Sequence, residues 1–520
     1  MGTYRGEMAV EGNENSSPTW RISEGVPLTD LRDRSCEADL VQFRRYDTLK
    51  METAAIDVTP RTTMSRNFVN GDNSLHVSFR PIIIMAQCFS VLPVSGINSP
   101  DPSNLKFTWR SPRILYCGIS FLSASLMTIF CVIHLARTDI TSTKTTSAVF
   151  FGTSCMTTLL FLQLATRWPS FVLAWNKFER ERTSPRNVSR ISLALRFRIL
   201  TVVIMGLAFV EHTLSILSGY SSAVECVAVR GDSDILSVYF ESQFPQVFTR
   251  TPYAHWKGAV VLMLNILSTF SWNFMDLFLI LISVALTDQF RQLNRRLDLT
   301  KEKIMSDRWW SEARTDYNRL AILSRLVDSN VSEIVLLSFA NNLYFICIQL
   351  LNSVNYKPMR DAIHTIYFCF SFGFLLARTA AMSLFAAAVH DESLLPAPVL
   401  YGVSSSSYSS EVLRFLLQVT TDNIALSGMK FFSITRSLVL TVAGTIVTYE
   451  LVLVQFNAVQ QSDSLQINIT TACMIRTSLF ARKLLAFHIL IHAGPTEISL
   501  PCVDLPFDST ISFTTSPFSL

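Results

Sequence analysis

The stretch KGAVVLMLNILSTFSWNFMDLFLILISVALT, residues 257–287, determines the fold class. About 20 consecutive, mostly apolar residues in helical conformation cross the hydrocarbon core of a bilayer. The ionisable side chains of this stretch are Lys257 at its start and Asp276 in its middle, and it contains no proline that would kink a helix. We therefore predict an unbroken transmembrane helix over 257–287.

The composition of the whole chain agrees with this prediction. Of the 520 residues, 49% are hydrophobic and only 16% are charged, whereas about 25% of the residues in a typical soluble domain are charged. The net charge of +4 is too small to indicate a nucleic-acid-binding protein. The apolar content also excludes a disordered chain. The chain is expected to be a membrane protein in contact with lipid.

Six further segments have the length and apolar composition of a span. They are 113–136, 148–166, 199–220, 333–352, 365–389 and 437–458. We thus predict an all-α membrane protein whose seven transmembrane helices occupy 113–458, between an N-terminal region, 1–112, and a C-terminal tail, 459–520. The apolar segment 81–97 is too short to span. We expect it to lie along the membrane interface or under the helix bundle, or to be a buried loop segment.

Lysine and arginine in the loops predict the orientation of the chain. The loops after the second, fourth and sixth spans hold 20 of these residues, and the three alternate loops hold six. Cytoplasmic loops carry the excess of positive charge, so the N-terminus is expected in the cytoplasm and the C-terminus outside. This topology is opposite to that of a G-protein-coupled receptor.

Amphipathic stretches predict helices beyond the membrane. Segments 288–297, 317–327 and 411–419 each place apolar residues at helical spacing among charged or polar ones. Such apolar faces need partners. We therefore expect a cytoplasmic layer of anchoring helices, within one subunit or between subunits.

The third span contains two adjacent ionisable residues, Glu211 and His212, with Ser215 one turn after Glu211 on the same face. An ionisable group inside a span costs about 2.5–3.5 kcal/mol on insertion scales, so it needs a partner or a purpose. A carboxylate accepts hydrogen bonds from two hydroxyl groups at once, which suits a sugar. The alternative is an interhelical hydrogen bond that only holds the bundle together.

The fourth span places Trp272, Asn273 and Asp276 on one side of its helix, at i, i+1 and i+4. An aromatic face beside an amide and a carboxylate suits carbohydrate binding. Asp276 has a second interpretation, because Arg378 of the sixth span is expected at a similar depth. The two could form a buried structural ion pair, and for Arg378 we favour this structural role.

The fifth and sixth spans complete the candidate lining. Asn342 and Gln349 share one helix face, since seven residues make nearly two turns, and Tyr344 lies between them. Gln349 is nearer the outside and is the better ligand candidate, whereas Asn342 could instead bond a neighbouring helix. Tyr367 and Ser371 lie one turn apart in the outer half of the sixth span. Their alternative interpretation is a packing role.

The end of the seventh span reads TYELVLVQF, residues 448–456. It matches TYxxxxxQF, the signature of insect gustatory receptors. Stretches such as SFANNLYFICIQLL (338–351) and LSGMKFFSITRSLVLTVAGTIVTYELVL (426–453) also resemble the sugar-receptor subfamily, the sweet taste receptors of the trehalose, sucrose and maltose type. The resemblance covers roughly 78–459. The tail 459–520 departs from it, because members usually end soon after the signature.

The resemblance implies a sugar-gated, non-selective cation channel in the plasma membrane of a taste neuron. It implies a homotetramer, or a heteromer with other gustatory receptors, whose seventh helices line a pore for Na⁺, K⁺ and Ca²⁺. A mono- or disaccharide would bind in an extracellular-facing pocket of each subunit. Gln455 and Phe456 would form the gate, which a ring of Phe456 closes by dewetting. Tyr449 and Glu450 are assigned structural roles, although Glu450 could also attract cations.

Two other functions stay open at this point. A secondary transporter could use Glu211, His212 and Asp276 as a coupling site, although the chain shows no internal repeat and seven spans do not halve. An odorant-receptor-like channel subunit would share the architecture, but the TYxxxxxQF signature favours taste. The sequence contains no GxSxG, HExxH, Walker A or GxGxxG motif, so neither an enzymatic activity nor a cofactor is expected.

Overall fold

The computed structural model describes residues 74–449 except 139–140, 182–191, 231–233, 302 and 355–361, together with Val452 and Gln455. In chain order its helices are α1 (Leu75–Cys88), α2 (Pro112–Arg137), α3 (Ser142–Glu181), α4 (Leu193–Arg230), α5 (Ile235–Gln243), α6 (Pro245–Phe248), α7 (His255–Asp298), α8 (Asp307–Val354), α9 (Ala362–Leu394), α10 (Pro396–Tyr401), α11 (Ser410–Thr421) and α12 (Arg436–Tyr449). Two short strands, β1 (Ser427–Gly428) and β2 (Phe432–Ser433), pair antiparallel between α11 and α12.

Six of these helices, α2, α3, α4, α7, α8 and α9, are long and apolar enough to cross a membrane. They contain the first six predicted spans. The predicted seventh span, 437–458, is described as α12 only through Tyr449, which makes that helix shorter than a span requires. Of the remainder of this prediction, Val452 and Gln455 are helical and the other residues lie outside the described part of the chain.

Three of the spanning helices are much longer than a bilayer is thick. Helices α3, α7 and α8 contain 40, 44 and 48 residues, which correspond to about 60–72 Å at 1.5 Å per residue. Hydropathy located only their apolar parts, so α3 and α8 extend beyond the predicted spans 148–166 and 333–352. The predicted helices 288–297, 317–327 and 411–419 are confirmed: the first continues α7, the second belongs to α8 and the third is α11.

Helix α7 forms the centre of the bundle and α2 its edge. In the most apolar stretch of α7, 94% of the residues are buried, against 22% in α2. The outward side of α2 carries large apolar side chains at helical spacing, including Leu115, Ile119, Leu122 and Leu126. An apolar stripe of this size on a helix long enough to span suits contact with lipid tails.

One side of the apolar segment 81–97 packs into the bundle, which agrees with the expected alternatives of a position under the bundle or a buried loop segment more than with a position along the interface. It consists of the end of α1 and a buried loop, whose Val91 and Leu92 are at most 1% exposed. The Phe79 ring of α1 lies 5.0 Å from the Phe197 ring and 5.7 Å from the Trp168 ring. The aromatic face of α1 thus completes the core between α3, α4 and α7.

Helix α11 docks on α8 through an apolar face and flanking ion pairs. Its buried side chains are Val412, Phe415, Leu416 and Val419. Glu411 Oε2 lies 3.0 Å from Arg314 Nε, and Asp422 Oδ1 lies 2.6 Å from Arg325 Nη2. The hydrogen bond from Arg314 holds the pKa of Glu411 below its usual range.

The β1–β2 hairpin is tied to the bundle directly before α12. The Asp328 carboxylate of α8 accepts hydrogen bonds from the backbone N–H of Ser427, at 2.6 Å, and from its hydroxyl, at 3.0 Å. Asp391 Oδ2 of α9 lies 2.5 Å from Arg436 Nε at the start of α12. Movements of α8 and α9 can therefore reach α12 through charged contacts.

Candidate ligand-binding site

Polar side chains of α7, α8 and α9 meet in the middle of the bundle. We call this group the inner cluster; its members are Trp272, Asn273, Asp276, Ser338, Asn342 and Arg378. All of them except Trp272 are at most 4% exposed. Buried polar groups cost free energy unless they are hydrogen-bonded, so the partners of each group decide its role.

Asp276 is the centre of the inner cluster. Its Oδ1 accepts a hydrogen bond from Ser338 Oγ at 2.5 Å, and its Oδ2 accepts one from Asn342 Nδ2 at 3.0 Å. Arg378 Nε lies 2.9 Å from the same Oδ2. The carboxylate therefore has a buried ion pair and two hydrogen bonds within the protein. This is the arrangement expected of the structural alternative for Asp276 and Arg378.

The other contacts of Arg378 close the inner cluster. Its Nη1 donates to Asn273 Oδ1 and its Nη2 to Asn342 Oδ1, the latter at 3.4 Å. The guanidinium carbon lies 4.5 Å from the centre of the Trp272 ring, whose Nε1 donates to Asn342 Oδ1 at 3.2 Å. The carboxylate and both asparagine side chains thus have partners within the cluster, Arg378 Nε contacts Asp276 as an ion pair, and the cation lies over the aromatic face of Trp272.

A second group lies farther along α8 and α9, where these helices meet α4. We call it the outer cluster: Glu211 of α4, Gln349 of α8 and Ser371 of α9. Ser371 Oγ donates to Glu211 Oε1 at 2.9 Å, and Gln349 Nε2 donates to Ser371 Oγ at 3.4 Å. Seven residues separate Gln349 from Asn342 in α8, which places the outer cluster about 10 Å from the inner one.

The outer cluster retains hydrogen-bond acceptors that the described part of the chain does not use. Gln349 is 8% exposed, and its Oε1 is buried without a hydrogen-bond partner. Ser371 donates one hydrogen bond to Glu211. A carboxylate has about four acceptor sites, so Glu211 can accept further hydrogen bonds. The positive charge of Arg378 also acts electrostatically on Glu211, without a described contact between the two side chains. The site can therefore receive hydrogen-bond donors from a ligand.

Four other predicted lining residues are placed less centrally. His212 is buried with its ring 6.0 Å from that of Phe270, and its Nε2 has no partner among the described residues. The Tyr344 ring lies 5.3 Å from the Phe345 ring. Ser215 and Tyr367 are buried.

One member of the inner cluster was not predicted. Ser338 precedes Asn342 by four residues, so the two lie on the same face of α8, and this spacing is the signal that could have identified it. A link between α4 and the start of α9 was also missed, where Ser218 Oγ lies 2.8 Å from His364 Nδ1.

The predicted gate and pore residues are described only in part. Tyr449 and Gln455 are helical and exposed, whereas Glu450 and Phe456 lie outside the described residues. Within the described ranges, no group of three His, Cys, Asp or Glu side chains could hold a metal ion.

The arrangement of helices is similar to that of a solved insect olfactory receptor. It matches the structure of the insect olfactory receptor OR5 from Machilis hrabei in complex with eugenol with a TM-score of 0.54, over 73% of this chain and 99% of that one, at 14% identity. The structure of the same receptor described without eugenol matches with a TM-score of 0.53, over the same shares of the two chains, at 13% identity. At these identities the likeness shows the fold alone.

The sequence comparisons define the family. Residues 49–465 match the family model of the trehalose receptor. The chain is 37% identical to "Gustatory receptor for sugar taste 64f" of Drosophila melanogaster, over 74% of this chain and 81% of the relative. It is 36% identical to "Gustatory receptor 5a for trehalose" of the same species, over 75% of this chain and 87% of the relative. The chain belongs to the insect sugar gustatory receptor family, which confirms the predicted resemblance; this is a receptor family and not a family of enzymes.

Proposed function

We propose that this protein is a sugar-gated, non-selective cation channel in the plasma membrane of taste neurons, and that the sugar binds at the outer cluster. The observation that carries this proposal is the unused acceptor capacity of the half-buried Glu211 and the buried Gln349, where α4, α8 and α9 meet. Relatives named for sugar taste and for trehalose support the class of ligand.

Sugar hydroxyl groups suit the outer cluster chemically. Each hydroxyl can donate one hydrogen bond and accept others, so two neighbouring hydroxyls can donate to the Glu211 carboxylate while a third donates to Gln349 Oε1. Hydrogen bonds to an ionised group are stronger than neutral ones. His212, Ser215 and Tyr367 lie within one turn of these residues and would extend the contact surface.

The inner cluster would be the floor of the site. Its polar groups already satisfy one another, so Asp276, Asn273 and Asn342 have less to gain from a ligand than Glu211 and Gln349. We assign them to positioning: Asp276 holds Arg378, and Arg378 lies within electrostatic range of Glu211. Trp272 is the aromatic side chain of this floor.

The channel architecture is proposed from the same chain. Helix α12 is apolar and exposes Leu440 and Val447 in the single subunit, which suits a helix that contacts other copies. Four copies would surround a pore lined by α12, with Gln455 and Phe456 at the gate. The loops after the second, fourth and sixth spans hold 20 lysine and arginine side chains, and the alternate loops hold six. This difference supports a cytoplasmic N-terminus.

The test is a whole-cell recording from cells that express the chain, with a panel of mono- and disaccharides. Glu211→Gln removes the charge but not the shape, and it should raise the half-maximal sugar concentration about tenfold or more, because a charge-assisted hydrogen bond contributes roughly 1.5–3 kcal/mol. Glu241→Gln, at an exposed position of α5, is the matched control. Surface labelling checks that both variants reach the membrane.

Three outcomes would contradict parts of the proposal. An unchanged dose–response curve in the Glu211→Gln variant would remove the sugar from the outer cluster. Sugar uptake without current would indicate a transporter. Currents evoked by odorants and not by any sugar would indicate an odorant-receptor-like subunit.

A further inference from the structure

A cavity lined mainly by hydroxyl groups lies between α2, α3 and α7, beside the turn that follows α1. We call it the hydroxyl cavity; its six hydroxyl side chains are those of Ser90, Ser120, Ser154, Thr158, Ser268 and Ser271. None of its lining residues belongs to the inner or the outer cluster. The cavity encloses about 240 Å³ including its mouth, and the free space at its centre is about that of one water molecule. Its ligand must therefore be much smaller than a sugar.

The hydroxyl cavity lies within the predicted membrane spans. Its lining positions on α2, α3 and α7 fall inside 113–136, 148–166 and 257–287. All six hydroxyl-bearing residues are at most 9% exposed. Lipid tails offer no hydrogen bonds, so polar groups at this depth need partners within the protein or from ordered water.

Ser271 of α7 supplies a second and independent observation. The residue lines the hydroxyl cavity, is 3% exposed, and its Oγ has no hydrogen-bond partner within the described part of the chain. Ser283 of the same helix is also buried, but its Oγ donates to Leu279 O at 2.7 Å. Leaving a buried donor unpaired costs free energy. The Ser271 hydroxyl therefore requires an acceptor in the cavity.

The turn after α1 forms one wall of the hydroxyl cavity. Ser90 and Leu92 have left-handed backbone conformations, with φ values of 59° and 55°. The turn is held by its own hydrogen bonds: Val91 N–H donates to Ala86 O at 3.0 Å, and Gln87 Nε2 donates to Leu92 O at 3.3 Å. Ser90 is thereby fixed at the cavity wall.

We propose that the hydroxyl cavity binds one water molecule, which accepts a hydrogen bond from Ser271 Oγ and joins α7 to the serines of α2 and α3. None of the lining residues is charged, so an ion would find no counter-charge. Hydroxyl groups both donate and accept, as water does, and a buried water makes about three hydrogen bonds. The bound water would fasten α2, the edge helix, to the centre of the bundle. The proposal does not depend on sugar gating, since it concerns other residues and another ligand.

Radiolytic hydroxyl-radical labelling of the purified full-length protein in detergent, read by mass spectrometry, tests the proposal without any channel recording. Radiolysis of a bound water forms the radical at the site. Leu267, which lines the cavity, should therefore be labelled more than Leu277, a buried leucine of the same helix. After mixing with oxygen-18 water, label that comes from bulk water contains the heavy isotope at once. The label on Leu267 should acquire it with the delay of a slowly exchanging bound water.

Ser271→Ala removes the proposed donor, so it should lower the labelling of Leu267 and reduce the Tm by about 1 °C. Ser283→Ala is the matched control, because its hydroxyl lies outside the cavity and bonds its own helix; it should keep the labelling. A Ser271 hydroxyl without any partner predicts a Tm that stays equal or rises on substitution, since alanine removes the unpaired donor.

Three results would overturn the proposal. The first is labelling of Leu267 that equals that of Leu277 in the wild type. The second is unchanged labelling of Leu267 in the Ser271→Ala variant. The third is a Tm of that variant equal to or above that of the wild type. A lower Tm without labelling of Leu267 belongs to the first case and would show that Ser271 bonds the backbone of its own helix.

Discussion

Arg378 shows how a cation can be kept inside an apolar helix bundle. The side chain pairs with Asp276, donates to two asparagine oxygens and lies over the Trp272 ring. Desolvation of a buried ion pair is costly, so such a pair is weak evidence for stability. Removing one partner of the pair is strongly destabilising, because it leaves the other charge buried and uncompensated.

The Arg378→Met variant should therefore be strongly destabilised, by about 3–5 kcal/mol. The measurement is fluorescence-detected gel filtration of the solubilised protein together with its Tm. Arg295→Met, at an exposed position near the end of α7, is the matched control. The double variant Asp276→Asn/Arg378→Met should recover part of the loss, since no unpaired charge remains. A Tm equal to that of the control would show that the pair is dispensable.

For individual residues, the sequence predicted which side chains form the polar clusters better than it predicted the role of each one. An aspartate and an arginine in two spans predicted a possible ion pair, because each charge in a membrane needs a partner. The hydrogen bond of Ser371 to Glu211, and the unused oxygen of Gln349, depend on side-chain rotamers and helix rotation. Helix spacing cannot specify these, so the division into two clusters could not be predicted.

Among the elements, the β1–β2 hairpin occupies the connection between α11 and α12. Ile434 N–H donates to Leu426 O at 2.8 Å, and the Phe432 ring lies 5.2 Å from that of Phe339 on α8. Gly428 allows this ring to approach the strand: a Cβ atom there would lie 2.5 Å from Phe432 Cζ. A larger residue at position 428 would therefore require the Phe432 ring to move.

Gly428→Ala should displace Phe432 and weaken the hairpin, at a cost of about 1–3 kcal/mol. Hydrogen exchange of the amides of 426–434 should accelerate, and the half-maximal sugar concentration should change if this hairpin transmits movement to α12. Gly444→Ala is the matched control, since nothing lies within 4 Å of a Cβ atom there. Equal exchange rates in the two variants would show that the contact of Phe432 does not constrain the hairpin.

The sequence located the spanning helices well and the connecting elements poorly. Hydropathy detects about 20 apolar residues whatever their neighbours, and it therefore found all six described spans. It left several positions open for segment 81–97, including one under the bundle, because Pro81 and its short length are not typical of a core helix. The hairpin has strands of two residues each, which is too short for any alternating pattern to appear.

The single subunit leaves apolar surface uncovered in two places that suit contact with other subunits. Helix α12 exposes apolar side chains along its length, and α11 exposes Leu413 and Leu417 on the face opposite its docked side. Large apolar patches on a protein surface mark contacts with another protein or with lipid. We expect α11, which lies beside charged and polar helix surface, to contact a neighbouring subunit.

Leu413→Asp/Leu417→Asp should therefore break the proposed tetramer and leave the fold of each subunit intact. The two side chains are 45% and 54% exposed, so the substitutions disturb little within one subunit, whereas burying two carboxylates at an interface is unfavourable. Mass photometry in detergent measures the change. Leu299→Asp/Ile304→Asp, at exposed positions after α7, is the control; tetramers of equal abundance in both would exclude α11 from the interface.

The length of α7 and α8 has a consequence for how receptors of this family diversify. Each helix runs unbroken from the polar side chains inside the bundle to the end at which shorter helices dock, α10 on α7 and α11 on α8. Under the proposed function, α8 carries both Gln349 of the outer cluster and the surface on which α11 docks, so ligand preference and assembly could not be exchanged between relatives as separate modules. A new sugar preference must arise through individual side-chain changes inside a shared scaffold, and a chimaera must be joined within α7 and α8 at matching turns to keep both properties.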